Sequence, residues 1–364
     1  MLLRLNSVLW LFILILVSCR KTNSYHLQGV GIPQDNIYLA GQLDSFNIPV
    51  LKYWQKGSCV ELTRSYGVNY NIGTSGIVAK GSDVYVCGFA PTYQTTYVAL
   101  NSEALYWKNG TPVYLGDTSQ PSYATSIAIS GGDIYVAGCY STPGNPGKAV
   151  YWKNGEEVAL SGSSQLAVPT AIAVSGIDVY VTGAVVIEPN FAKYAAVIWK
   201  NGNMIYQGDT SMGGFATSLA INNGDVYAGG CTEFMQNGNT LTSINHAVYW
   251  KNGTAVNVPD TGYSSVVNAI AVSGGDIYAV GTRSTDPLSS PHYNFAEYWK
   301  NGTEFTLGNY LFSVATTIAV SGNDVYIGGR AEYQNFPGAT YWKNGKPNYL
   351  NNGSRITAMC LPSP

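Results

Sequence analysis

Seven tryptophans constrain what this chain can fold into. Trp54, Trp107, Trp152, Trp199, Trp250, Trp299 and Trp342 each stand in the phrase Y-W-K-N-G or a near copy, 43 to 53 residues apart. The eighth, Trp10, lies in an apolar N-terminal run. A second phrase, D-[VI]-Y-x-x-G, recurs in step with the first at Tyr38, Tyr85, Tyr135, Tyr180, Tyr227, Tyr278 and Tyr326. Its acidic residue is Asp83, Asp133, Asp178, Asp225, Asp276 or Asp324 in six copies, and Asn36 in the first. A period of about 40–50 residues made of short β-type segments is the signature of propeller blades.

The unit from Tyr123 to Leu160 reads strand by strand. Ala124–Ser130 is a small-residue, β-branched first strand, Gly131-Gly132 a tight turn and Asp133–Gly138 the second strand. After a loop of variable length come Ala149–Lys153, the turn Asn154-Gly155 and Glu157–Leu160. Asn-Gly is the strongest short hairpin signal because both residues accept positive φ. The expected fold is therefore all-β: a seven-bladed propeller of four-stranded antiparallel blades in one domain over 29–364. Composition agrees. With 46% hydrophobic and 13% aromatic residues the chain is too apolar for disorder. Its 11% of charged residues is under half the usual fraction of roughly 25% and does not suit a coiled coil.

Blade one lacks a recognisable first strand. Thr357-Ala358-Met359-Cys360-Leu361 matches Asn268-Ala269-Ile270-Ala271-Val272, so the C-terminus is expected to supply that strand and close the ring. Each tryptophan is expected between adjacent blades, where burying about 150–250 Å² is worth on the order of 4–6 kcal/mol as an upper bound.

The stretch Thr217 to Gly230 (TSLAINNGDVYAGG) resembles a kelch repeat, in which a small-residue strand turns into a Tyr-containing strand ending in paired glycines, and Gly328-Gly329 repeats the pair. The likeness covers the first half of each blade. Kelch repeats put Tyr and Trp on successive strands, whereas here the two are adjacent. As a whole the chain resembles an uncharacterised, Bacteroidetes-type family of propeller lipoproteins with Y-W-K-N-G repeats. That resemblance implies a fold and a location but no settled activity.

The N-terminus reads as an address. Arg4 precedes an unbroken apolar run, Val8–Val17, too short to span a bilayer, which needs roughly 20 residues. Leu16-Val17-Ser18-Cys19 resembles a bacterial lipobox. The resemblance implies a signal peptide at 1–18, acylation of Cys19, a lipidated tether at 19–28 and insertion in the outer membrane. Arg20 and Lys21 follow where an inner-membrane retention signal has Asp, and no acidic cluster favours export, so a periplasm-facing anchor is expected over surface exposure. Five further cysteines (Cys59, Cys87, Cys139, Cys231, Cys360) have no C-x-x-C spacing and are expected as buried small hydrophobes.

In such a blade the 1–2 and 3–4 turns lie at one end and the 2–3 and 4–1 loops at the other. The first set is short and repetitive, while the second is long, irregular and rich in aromatic and charged residues. Recognition is expected on that irregular face. Blades five to seven are richest there: Glu233, His246, Arg283, Asp286, His292, Tyr293, Arg330, Glu332 and Tyr333 are the candidate ligand-binding residues. Tyrosines with Arg and Asp suit a glycan, and equally a protein partner such as another envelope protein. A net charge of −2 gives no case for nucleic acid. No catalytic residue, metal or cofactor is assigned. The repeated Asp is expected to bond local backbone N–H groups rather than calcium. The reading is a monomeric, non-catalytic binding scaffold. Its rival is a carbohydrate-active enzyme (lyase, hydrolase or sugar mutarotase) using carboxylates of the same face, Glu233 with Glu332.

Overall fold

The Asn-Gly hairpins form as their chemistry demands. Asn109, Asn154, Asn201, Asn252, Asn301 and Asn344 have φ between 49° and 52°, and the glycines after them between 77° and 91°. That is the left-handed pair that closes a two-residue turn between right-twisted strands. In blade one Lys56 takes the strained place, at φ 37°.

The structure is a computed structural model. It describes residues 35–45, 48–62, 72–91, 102–117, 119–141, 147–160, 165–188, 193–235, 243–259, 264–285, 293–308, 312–333, 336–350 and 354–363. The signal peptide, Cys19 and the tether lie outside the described residues.

The architecture is all-β, with seven blades of four antiparallel strands. Blade two comprises Gly73–Lys80, Asp83–Pro91, Ser102–Lys108 and Thr111–Tyr114, and blade three Ser122–Ser130, Asp133–Tyr140, Lys148–Lys153 and Glu156–Ala159. Blade four comprises Ala167–Ser175, Asp178–Glu188, Lys193–Lys200 and Asn203–Gln207, and blade five Gly214–Asn222, Asp225–Met235, Ser243–Lys251 and Thr254–Asn257. Blade six comprises Ser264–Ser273, Asp276–Ser284, Asn294–Lys300 and Thr303–Thr306, and blade seven Ser313–Ser321, Asp324–Tyr333, Phe336–Lys343 and Lys346–Tyr349. Blade one is assembled from both ends of the chain: Arg355–Cys360 pairs with Tyr38–Ser45, followed by Ile48–Gln55 and Ser58–Glu61. The C-terminal closure expected from the repeat is thus present. Beyond it, Pro362–Ser363 pairs in parallel with Ala79–Lys80 and ties the tail to blade two.

Seven apolar clusters fill the seven blade interfaces, with one tryptophan in each. Each ring lies against the preceding blade: Trp152 with Tyr85 and Leu115, Trp199 with Tyr135 and Tyr151, Trp54 with Tyr326 and Tyr341 across the seam. Trp299 donates its indole N–H to Pro259 O at 3.0 Å, whereas the indole nitrogens of Trp54, Trp152, Trp199 and Trp342 are buried without a partner among the described residues. Shape and area, not hydrogen bonding, select tryptophan there.

The first strands contact one another consecutively around the axis. Each carries a one-residue bulge at a polar residue: Ser75, Thr125, Thr170, Thr217, Asn268, Thr316 and Thr357. A bulge leaves its extra residue out of the ladder, so the side chain is available to the next blade. Ser75 Oγ donates to Ala124 O (2.9 Å), Thr170 to Ala216 O (2.8 Å), Thr217 to Val267 O (2.5 Å), Asn268 Nδ2 to Ala315 O (2.7 Å) and Thr316 to Ile356 O (2.8 Å). Thr357 and Thr74 share a hydroxyl pair at 2.8 Å. Between blades three and four Ser126 Oγ accepts from Ile172 N (3.3 Å), while Thr125 turns back to Ala137 O.

The bulge also accounts for the glycine of D-[VI]-Y-x-x-G. It pushes a first-strand carbonyl against the second strand, so a Cβ on Gly41, Gly88, Gly138, Gly183, Gly230, Gly281 or Gly329 would lie 1.9 to 2.2 Å from that oxygen. Gly183→Ala is expected to cost about 2 kcal/mol or more, because backbone must shift. Gly338→Ala, where an added Cβ meets nothing within 4 Å, should stay within about 0.5 kcal/mol of the parent. Urea unfolding of the two variants side by side checks this; equal midpoints would show that the close approach is not a constraint.

Two unlike faces and a candidate binding site

On the turn-lined face the polar residues of the repeat satisfy one another. In blade two, Asp83 Oδ2 pairs with Lys108 Nζ at 2.8 Å, Asn109 Nδ2 donates to Asp83 Oδ1 at 2.8 Å, and Val84 N donates to Asn109 Oδ1 at 2.8 Å. Lys108 also lies over the Tyr85 ring, 5.4 Å from its centre. The same clasp of Lys, Asp, Asn and Tyr recurs in blades three to seven. This corrects the expectation for the repeated Asp: the Asn side-chain carbonyl takes the backbone N–H, which frees the carboxylate for the cation and amide at the end of the adjacent third strand. Lys and Asn hold the carboxyls of Asp83, Asp133, Asp178, Asp225, Asp276 and Asp324 below their ordinary range. Blade one, with Asn36, Gln55 and Lys56, lacks the clasp. Asp35 instead reaches across the seam to blade seven, accepting from Tyr341 Oη at 2.9 Å and Lys343 Nζ at 2.7 Å.

An open cleft of about 660 Å³ also lies on this face, between Tyr298 and Phe305 of blade six and Asn323 and Asn344 of blade seven. Phe305 on its wall is 45% exposed, and an added Cβ on Gly345 would meet nothing within 4 Å. The charges lining it, Asp276 and Lys300, are paired with each other at 2.7 Å.

The irregular face departs from the repeat. Rings from different blades meet at its mouth: Phe89 with Tyr123 (5.0 Å between centres, edge to face), Tyr194 with Phe215 (4.6 Å), and Tyr293 with Phe312 (5.6 Å). Arg283 Nε donates to Glu297 Oε1 at 2.8 Å, and its guanidinium lies 4.6 Å from the centre of Phe295. Glu297 is buried. Loss of hydration and the neighbouring Glu304 carboxyl outweigh Arg283, which reaches one oxygen only, and push Glu297 up to about 7.

The nine candidate residues are distributed rather than gathered. Asp286 and His292 lie outside the described residues, and of Glu233 and Tyr333 only the backbone is described. His246 is exposed opposite Thr232 and shares a strand face with Trp250, which packs on blade four. Arg283 shares a face with Trp299, toward blade five. Arg330, opposite Ala339, faces blade one, and Glu332 is half-buried two residues on. Among the described residues Arg283 and Tyr293 are brought into one chain of contacts through Phe295, whose ring centre lies 6.4 Å from that of Tyr293. Sequence reasoning missed Glu297 and Phe312. Glu297 carried a signal: two residues before the tryptophan, four blades have Leu105, Val150, Val197 or Val248.

Of the scattered cysteines, Cys87, Cys139 and Cys231 are buried and Cys360 is half-buried. Burial pushes the thiols of Cys87, Cys139 and Cys360 up to about 12. Cys59 is exposed, on the outermost strand of blade one, which corrects its expected burial.

No protein-family model matches the chain, and no curated protein matches it. Among solved structures it is similar to the polysaccharide lyase Uly1, at 11% identity over 95% of this chain and 96% of that one, with a TM-score of 0.53. It also matches the β-propeller domain of the Trilobed protease from Pyrococcus furiosus, at 9% identity over 89% and 97%, with a TM-score of 0.48. A GH43 endo-arabinanase from Bacillus licheniformis matches at 10% identity over 75% and 96%, with a TM-score of 0.32. At such identities the likeness is one of fold: the chain is a seven-bladed β-propeller.

Because the folded protein holds Glu297 above its ordinary value of 4.5, the stability this group contributes is whole below that value and is lost as pH rises through about 7. The loss is on the order of 3 kcal/mol. The clasp aspartates act oppositely and in a separate window, since their contribution is lost as pH falls below the ordinary carboxylate range. Glu297→Gln is expected to gain stability relative to the parent between pH 5 and pH 8 in chemical denaturation. Parallel pH profiles would rule the assignment out.

Proposed function

We propose that the chain is a non-catalytic, glycan-binding scaffold of the bacterial envelope, lipid-anchored at Cys19 in the outer membrane and facing the periplasm, with the irregular face as its working face. One observation carries this reading: the two faces differ in valence. The turn-lined face repeats one self-satisfied clasp six times. The other face carries inter-blade aromatic pairs and an arginine held at one nitrogen. Ring faces with planar polar donors suit pyranoses.

The rival reading is a carbohydrate-active enzyme. The similarity to a polysaccharide lyase supports the fold and transfers no site residue at 11% identity. The group that favours this reading is Glu297, a buried carboxyl shifted to about 7, a range suited to proton transfer.

The full chain in detergent is expected to bind glycans on an array and to lose that binding in Phe312→Ala combined with Phe215→Ala. An empty array beside a pull-down that recovers one envelope protein would replace the sugar with a protein partner. Turnover of any polysaccharide that disappears in Glu297→Gln or Glu332→Ala would overturn the non-catalytic reading. For the anchor, the mature protein should begin at an acylated Cys19 by mass, and Cys19→Ser should leave the membrane fraction; unchanged partitioning would refute lipidation at that residue.

A further inference from the structure

Arg283 is a built arginine. Its backbone is fixed in the second strand of blade six, opposite Ser265 and Phe295. Its Nε is committed to Glu297, and its guanidinium carbon sits over the Phe295 ring, 4.6 Å from the centre. The two Nη groups take no bond from the described residues, and a quarter of the side chain is exposed. A guanidinium fixed at Nε and seated over a ring presents its remaining donors as a rigid fork, the shape that receives a planar carboxylate through two parallel hydrogen bonds. A lysine point charge would not impose that geometry.

The surroundings say what carries the carboxylate. From Phe295 the rings continue to Tyr293 and then to Phe312 at the edge of blade seven, which is 44% exposed. Such a strip offers apolar ring faces beside an anion receptor. A sugar acid has both complements in one residue, an apolar C–H face and a carboxylate. At the remaining guanidinium donors an acidic sugar gains charge-assisted bonds that a neutral sugar does not.

We propose that Arg283 anchors a carboxylate subsite for uronic-acid residues of an acidic polysaccharide, with Tyr293 and Phe312 as the platform for the sugar ring. This rests on the glycan-binding reading and names its ligand class.

The test is calorimetric titration of the full chain in detergent with oligogalacturonate, oligoglucuronate and oligomannuronate, each also as its methyl ester, and with a sulfated neutral oligosaccharide. At least one acid form is expected to bind about tenfold or more tighter than its ester. Arg283→Lys should remove most of that preference while keeping the charge. The double variant Arg283→Ala with Glu297→Val puts in blade six what other blades already have there, Ala90 or Ala331 and Val150, Val197 or Val248, so it should fold and bind acid and ester alike. Phe312→Ala should weaken both forms. Equal binding of acid and ester by the parent, or a preference that survives the double variant, overturns the carboxylate subsite and leaves the glycan reading standing. Tighter binding of the sulfated probe overturns the assignment to carboxylate. Binding of none of these while other glycans bind overturns it as well, and binding of no glycan at all removes both readings.

Discussion

The bulged first strand is the constraint from which the rest follows. A ring of seven sheets has to hold its innermost strands side by side although they are not paired in one ladder. Displacing one residue per blade from its ladder supplies a hydroxyl or amide for the neighbouring blade's carbonyl at five interfaces and a hydroxyl pair at a sixth. These bonds sit near the axis, where the blades approach closest. The tryptophans lie farther out, where wedge-shaped gaps need volume. The polar inner girdle and the apolar outer shell therefore divide the work by radius: directional bonds set the spacing and rotation of the blades, and buried area supplies most of the stabilisation.

The same geometry explains what could be read in advance. Period, blade count, hairpin turns and ring closure were legible because they rest on local chemistry: Asn-Gly dictates its turn wherever it occurs, and a strand copy missing at one end is visible at the other. The bulge was not legible, since Thr217 or Thr316 in an alternating strand looks like any β-branched residue. The glycine of the second strand was visible as a repeated letter, but its cause is a carbonyl on another strand. The repeated Asp was misread for a similar reason. Its partners lie 25 or 26 residues on in blade two, at Lys108 and Asn109, and local turn chemistry says nothing about a third strand.

The candidate site divides along the same line. Arg283 and Tyr293 were apparent as charge and aromatic surface in an irregular segment. Their relation was not, because it passes through Phe295 and depends on strand register, which places Arg283 and Phe295 directly opposite. Register parity also separates His246, Arg283 and Arg330 into three interblade clefts, although the chain brings all three to one face. A list of loop residues in a propeller is thus a list of clefts until the side-chain alternation of each blade is known.

The seam between blades seven and one shows how the exception in the repeat is compensated. Every other blade is one continuous stretch of chain, so its four strands are held together by covalent connection as well as by hydrogen bonds. Blade one has no such link to its first strand, and it is also the blade whose clasp is missing. Asp35 compensates from the other side: by accepting from Tyr341 and Lys343 it draws on blade seven's own clasp lysine, whose distance to Asp324 is 3.6 Å against 2.7 to 2.9 Å for the corresponding pairs. The entering chain is thereby fixed to the last blade, the leaving chain is paired into the first and continued onto the second, and Arg355 in that closing strand donates to Gln42 at 2.8 Å. Closure is thus spread over three blades, and no single non-covalent strand pair has to hold the ring alone.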